Sequence, residues 1–182
     1  MAFINPGYTR EALDEIDRCI NELGMIGIKL YNHYFVSDPV VRPVIEKCIE
    51  LDIPILHHAG KLTVGPESQP FLSNGVHFAM AAKEYPEAIF IHGHIGGGGD
   101  WYWSLKAMAD CPNVFTDISG SVHDTGIIEK TVQMMGADRM LFATDGSYAP
   151  GIGKLLGAKI PDEDKIKIMN NPRLARYQER GM

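Results

Sequence analysis

Six short apolar runs, each followed by a longer amphipathic stretch, constrain this chain more than any single motif does. The runs fall at 2–4, 26–31, 53–57, 88–92, 114–118 and 140–144. They are short and rich in Ile, Val and Phe, which suits buried strands better than helices. The stretches between them carry helical spacing. From Thr9, a good N-cap, Ala12, Leu13, Ile16, Cys19, Ile20 and Leu23 share one face, and Gly24 stands where a helix ends. Asp38-Pro39 opens a second helix that runs through Cys48 and Ile49. Further helices are predicted at 75–85, 100–109, 126–135 and 162–177, with Pro172 breaking or kinking the last.

Strands alternating with helices imply a parallel sheet, and strand starts 24 to 35 residues apart match the size of a βα unit. The unbroken apolar character of the strands says that both sheet faces are covered. Nothing in the sequence divides the chain, so 1–182 reads as a single domain. Two architectures fit, an open doubly wound sheet and a (β/α)8 barrel. The polar residues decide between them. Lys29 and Tyr31, His57 and His58, His92 and His94, Asp117 and Ser119, and Asp145 stand at the C-terminal ends of five different strands. An open sheet binds at one switch point, whereas a barrel gathers site residues from many strand ends on one face. The expected fold is therefore α/β and TIM-barrel-like, but incomplete, with about six βα units where eight are required. The stretches 60–74 and 146–158 are the expected specificity loops.

Composition narrows the function classes. The net charge is −6 and no basic cluster stands out, which argues against nucleic acid as a partner. No apolar run approaches the roughly 18 residues that span a bilayer. The N-terminus lacks the basic and apolar regions of a signal peptide. Cys19, Cys48 and Cys111 are odd in number and far apart, as reduced thiols are. The expected location is cytoplasmic and the expected partner a small-molecule substrate.

The histidines carry the chemistry. In a strand, residues i and i+2 face one side, so His92 and His94 form either a bidentate start for a metal site or one active residue and one packed beneath it. Of His57 and His58 only one can face the barrel centre. Asp145 ends an apolar run, where an ionised carboxylate is costly unless paired, and reads as a metal ligand, a general base or a turn cap before Gly146-Ser147. Lys29 sits in an apolar strand, either facing an anion or snorkelling outward. Asp117 and Ser119 either orient a ligand or, for Asp117, satisfy loop amides. Gly96 to Gly99 do not have the spacing of a phosphate loop. Trp101 and Trp103 read as wall or packing residues. His33 and Tyr34 are placed on a strand-end loop that can line the pocket, and His77 and His123 on the surface or at helix ends.

Five segments together resemble the amidohydrolase-related (amidohydrolase 2) family of metal-dependent TIM-barrel hydrolases and decarboxylases. They are Gly27-Ile28-Lys29-Leu30-Tyr31, Pro54-Ile55-Leu56-His57-His58-Ala59-Gly60, His94-Ile95-Gly96-Gly97, the run 113–120 and the run 136–145. The resemblance implies that His58, rather than His57, is a metal ligand. It makes His94 the catalytic acid or base or a further ligand, and Asp145 the remaining ligand and proton shuttle. It implies zinc, with manganese possible. Lys29, Tyr31, His33, His92 and Trp101 are the expected substrate-binding neighbourhood. The implied activity is hydrolysis of a small carbonyl or carboxylate substrate, with decarboxylation, or a non-catalytic binding or structural role, as alternatives. The family's first-strand His-x-His pair has no counterpart here. The motifs align from the family's third strand, as in a chain truncated by two βα units. An alternative ligand pair is His92 with His94. A barrel lacking two strands exposes two edges, so a homo-oligomer or a complex completing the barrel is expected.

Overall fold

The computed structural model describes residues 1–60, 66–95 and 98–180. Six strands form one all-parallel sheet in the order β1-β2-β3-β4-β5-β6: Ala2–Phe3, Ile28–Leu30, Ile55–His58, Phe90–Gly93, Val114–Asp117 and Met140–Leu141. The order never reverses, so there is no switch point of the doubly wound kind. The strands wind as in a barrel, and among the described residues β1 and β6 do not pair with each other. The fold is the incomplete TIM-barrel-like α/β architecture expected from the strand count.

Alternation sorts each strand into two faces. Ile28, Ile55, Phe90 and Val114 pack outward with residues of the surrounding helices, among them Ile16 of α1 (Thr9–Asp17), Val44 of α2 (Arg42–Glu50), Phe78 of α3 (Gly75–Glu84) and Leu105 of α4 (Trp101–Met108). Met140 does the same with Ile128 of α5 (Ile127–Met135), Leu155 of α6 (Tyr148–Gly157) and Ile168 of α7 (Asp162–Met169). The opposite face carries Leu56, Ile91, Phe115 and Leu141. Leu174, just before α8 (Ala175–Arg180), and Tyr177, within it, cover it. The C-terminal segment thus fills the space inside the open arc. The Tyr177 hydroxyl and Arg176 both donate to the Asp52 carboxylate, at 3.1 and 2.8 Å, and pin that plug to the turn before β3.

Several elements differ from expectation in ways that matter for the site. The edge strands are only two residues long, because β1 and β6 each pair on one side. After Leu141 the backbone of Phe142 instead bonds to the carbonyl of Ile168 at 2.9 Å. The stretch 146–158, expected as a loop, contains helix α6. Its glycines hide the helical pattern, and Gly151 is there because a Cβ would lie 2.8 Å from the carbonyl of Ala143. The last helix divides around Asn170 to Pro172, where the proline was expected to break it. In the other expected loop, 61–65 lie outside the described residues. Among the described residues, no helix is long and apolar enough to cross a membrane.

Candidate active site

The C-terminal strand ends bring three side chains together. His58, the last residue of β3, alternates to the inner face, while His57 alternates to the helix side, edge-on to Phe78. His94 follows the end of β4, and its backbone N–H reaches Ala59 O at 3.3 Å, which ties it beside β3. His94 Nε2 lies 3.1 Å from His58 Nδ1 and 3.7 Å from Asp145 Oδ2. Asp145 occupies the left-handed region with φ +47°, an uncommon conformation for a residue with a side chain and one that strand-end turns at functional sites often adopt. Its side chain is 58% exposed, so it forms the open rim rather than the floor. These three residues, with Gly60, Gly120 and Ser147, line a cavity of about 220 Å³.

A second layer stands behind His94. Ser119 uses both its backbone N–H, at 2.9 Å, and its hydroxyl to donate to Asp117 Oδ1. The Ser119 hydroxyl oxygen also meets His94 Nδ1, and Asp117 Oδ1 lies 3.6 Å from the same nitrogen. Burial alone would push the Asp117 carboxyl up. The bonds from His94 and Ser119 outweigh it and hold the group below the usual carboxylate range. Asp117 satisfies a loop amide, as one of the two sequence readings had it, and stands behind His94.

The histidines differ in electrostatics because they differ in surroundings. Burial, reinforced by the neighbouring His94 and Lys29, pushes His58 down to about 4, so it is neutral at neutral pH. Burial pushes His57 to about 4 and His92 to about 3. Burial likewise lowers Lys29, against the pull of Asp117 and Asp145, which places its ammonium in the field of both carboxylates.

The remaining expected residues separate. Tyr31 stacks on His58 with ring centroids 4.3 Å apart, and His33 stands beyond Tyr31 at 6.4 Å, toward the exposed ring of Phe3. His92 does not join the site. It is 1% exposed and packs between the sheet and α3, 4.9 Å from the Phe78 ring, with Nδ1 toward the Thr116 hydroxyl. The i, i+2 rule fails because His94 lies past the last residue of β4, where the chain has left the pleat. The alternative ligand pair of His92 and His94 is therefore excluded. Trp101 does not line the cavity either. Its indole N–H donates to Asp124 at 2.6 Å and braces the loop after β5. Lys154 was not anticipated. From α6 it donates to the carbonyls of Gly120 and Ser119, at 2.6 and 3.3 Å, and holds the β5 loop in place. A lysine inside a stretch read as a loop gave no signal for this. A larger cavity of about 750 Å³ lies beside the first, between residues 123–129 and α6, sharing Pro150 with it but none of the three converging side chains.

Two imidazoles and a carboxylate are donors that zinc or manganese accepts. As they stand, His94 Nε2 is within hydrogen-bond distance of His58 Nδ1, at 3.1 Å, with Asp145 Oδ2 3.7 Å away. Among the described residues, no three His, Cys, Asp or Glu side chains are arranged to hold an ion. What the arrangement supplies unaided is an imidazole pair in the pocket and an exposed carboxylate on its rim, a proton-transfer set.

Known proteins share sequence or fold with this chain. A curated relative, 2-keto-4-carboxy-3-hexenedioate hydratase from a Sphingobium species, is 26% identical over 222 residues, covering 94% of this chain and 64% of its own length. The crystal structure of 4-oxalomesaconate hydratase from Rhodopseudomonas palustris superposes with a TM-score of 0.65 at 21% identity, over 98% of this chain and 65% of that one. An uncharacterised TIM-barrel protein of Bordetella bronchiseptica gives a TM-score of 0.73 at 18% identity, over 98% and 66%. The chain thus spans a little under two thirds of these relatives. The family model described as amidohydrolase matches residues 1–171. The chain belongs to the amidohydrolase family.

Proposed function

We propose that this chain carries the catalytic strand ends of an enzyme that moves protons to and from water at a small carbonyl or carboxylate substrate. His94 is the acid or base in this reading, and Asp145, on the open rim, exchanges protons with the substrate or solvent. The observation that supports it is the His94 ring itself, held by Ser119 on one side and directed at the cavity by the other, beside Asp145. Lys29 and Tyr31 contribute the charge and the aromatic wall for an anionic substrate. Proton transfer of this kind serves hydrolysis and also the addition of water to an activated double bond, and the hydratase relative at 26% identity favours the second. Decarboxylation at the same pocket is the competing reading.

A divalent cation, zinc or manganese, belongs to this proposal through the family. Holding it requires donors additional to His58, His94 and Asp145, and no step is assigned to it. A homo-oligomer or a complex that covers the open edges at β1 and β6 is part of the same proposal. Phe3, 60% exposed on the edge strand β1, and the exposed Tyr148, Ile152 and Leu156 on one face of α6 support it.

The test is a panel of unsaturated keto-dicarboxylates, lactones, amides and aromatic carboxylic acids, assayed with zinc or manganese supplied. Turnover of an unsaturated keto acid that His94→Asn abolishes supports the reading. Release of carbon dioxide from an aromatic acid instead transfers it to the decarboxylase reading. Light scattering that shows only monomer rules out the homo-oligomer.

A further inference from the structure

The bonds behind His94 have a direction that fixes where its proton sits. The Ser119 hydroxyl has one hydrogen and lies against both Asp117 Oδ1 and His94 Nδ1. Asp117 Oδ1 already accepts the Ser119 backbone N–H at 2.9 Å, so it stands in that turn as an acceptor. The hydroxyl hydrogen goes to the carboxylate, and the hydroxyl oxygen is left to accept. His94 Nδ1 must then be the donor. A neutral imidazole has one N–H, so Nε2 keeps its lone pair, and Nε2 is the nitrogen 3.1 Å from His58 and 3.7 Å from Asp145.

We infer that Ser119, oriented by Asp117, is a positioning residue that locks His94 in the Nδ1–H tautomer and so keeps Nε2, at the cavity, as an acceptor toward His58 Nδ1. The backbone is built around this arrangement. Asp117 reaches the right place only because residue 93 has no side chain, since a Cβ there would lie 2.8 Å from Asp117 Oδ2. Lys154 fixes the following carbonyls and prevents the Ser119 turn from drifting. The Asp117–Ser119–His94 series does for an imidazole what a carboxylate or carbonyl partner does for a histidine in many catalytic sites, with a hydroxyl between.

The inference rests on the reading of His94 as the proton-transfer residue, yet it is tested without substrate. The full chain, labelled with 15N-histidine and freed of metal, is examined near neutral pH by two-bond 1H–15N correlation, which distinguishes the two tautomers. His94 is assigned by its absence from His94→Asn. The expected result is the Nδ1–H form in the wild type, a shift of about five- to tenfold toward Nε2–H in Ser119→Ala, the change expected from losing one hydrogen bond, and recovery in Ser119→Thr, which keeps the hydroxyl. A wild-type His94 protonated on Nε2 overturns the inference, and so does an unchanged ratio in Ser119→Ala. The wild-type spectrum decides the first point even if the alanine variant does not fold. If the tautomer is as inferred but His94→Asn turns substrate over normally, the proton-transfer reading fails and the positioning stands.

Discussion

Gly93 and Asp117 occupy one space on the inner face of the sheet. The position that a Cβ on residue 93 would take lies 2.8 Å from Asp117 Oδ2 and 2.9 Å from the side chain of Leu56. The glycine between two histidines is therefore required by the carboxylate of the next strand, which supports His94 through Ser119.

Gly93→Ala is expected to displace Asp117 and disturb the site before it unfolds the protein. Overpacking of this kind costs about 1–3 kcal/mol. Denaturant melts should register that loss, and the Nδ1–H population of His94 should fall with it. An alanine variant with wild-type stability and an unchanged His94 spectrum would contradict the close approach.

Acid should destabilise the protein through its buried histidines. His57 and His58 stand at about 4 and His92 at about 3 in the folded chain, against an ordinary value of 6.5. Between pH 6.5 and about 4 the unfolded chain takes up protons that the folded chain refuses. Stability is therefore full above pH 6.5 and falls as the pH drops through that window, by about 1.4 kcal/mol per pH unit for each fully refused proton. His92 leaves Nε2 buried without a partner among the described residues. His92→Phe should make the pH dependence of the denaturant midpoint shallower by about one proton.

The C-terminal plug should matter to the whole arc. Tyr177 is buried against Ile91, Phe115 and Leu174 and bonds to Asp52. Tyr177→Ala removes that packing and is expected to cost about 3–5 kcal/mol, by analogy with other buried aromatic truncations. Tyr177→Phe, which loses only the hydroxyl's bonds to Asp52 and Arg176, should cost about 1–2 kcal/mol. Equal losses in the two variants would contradict a packing role.

Arg139 fixes the approach to β6. Its guanidinium donates to the carbonyls of Met135, Ala109 and Cys111, each at 2.8 Å, so it joins the end of α5 to the turn after α4. Arg139→Met keeps an unbranched apolar stem and leaves those carbonyls without their partner. A loss of about 2–4 kcal/mol in denaturant melts is expected.

The winding of the fold was legible because period and length agreed. The apolar runs were too short for helices and the stretches between them were helically spaced. Alternation said that only one of His57 and His58 could face inward, the family resemblance chose His58, and Asp145 stood out through the cost of a charge after an apolar run. His92 was misplaced by that same alternation, since the strand ends one residue before His94 and the rule stops with it. Helix α6 was hidden by Gly151, Gly153 and Gly157, which lower helix propensity. Packing on Ala143 overrides that preference at Gly151. Lys154 was invisible for the same reason, and the direction of the Ser119 hydroxyl depends on contacts between strands that no local pattern encodes.

The central claim is that His94, beside Asp145, performs the proton transfer. The most direct measurement is the steady-state rate of His94→Asn beside the wild type on the substrate that the panel identifies, with folding of both checked by circular dichroism. The account predicts a kcat lower by about 10²- to 10⁴-fold with KM little changed, the loss typical of a missing general acid or base. A folded His94→Asn enzyme that keeps its kcat would contradict it.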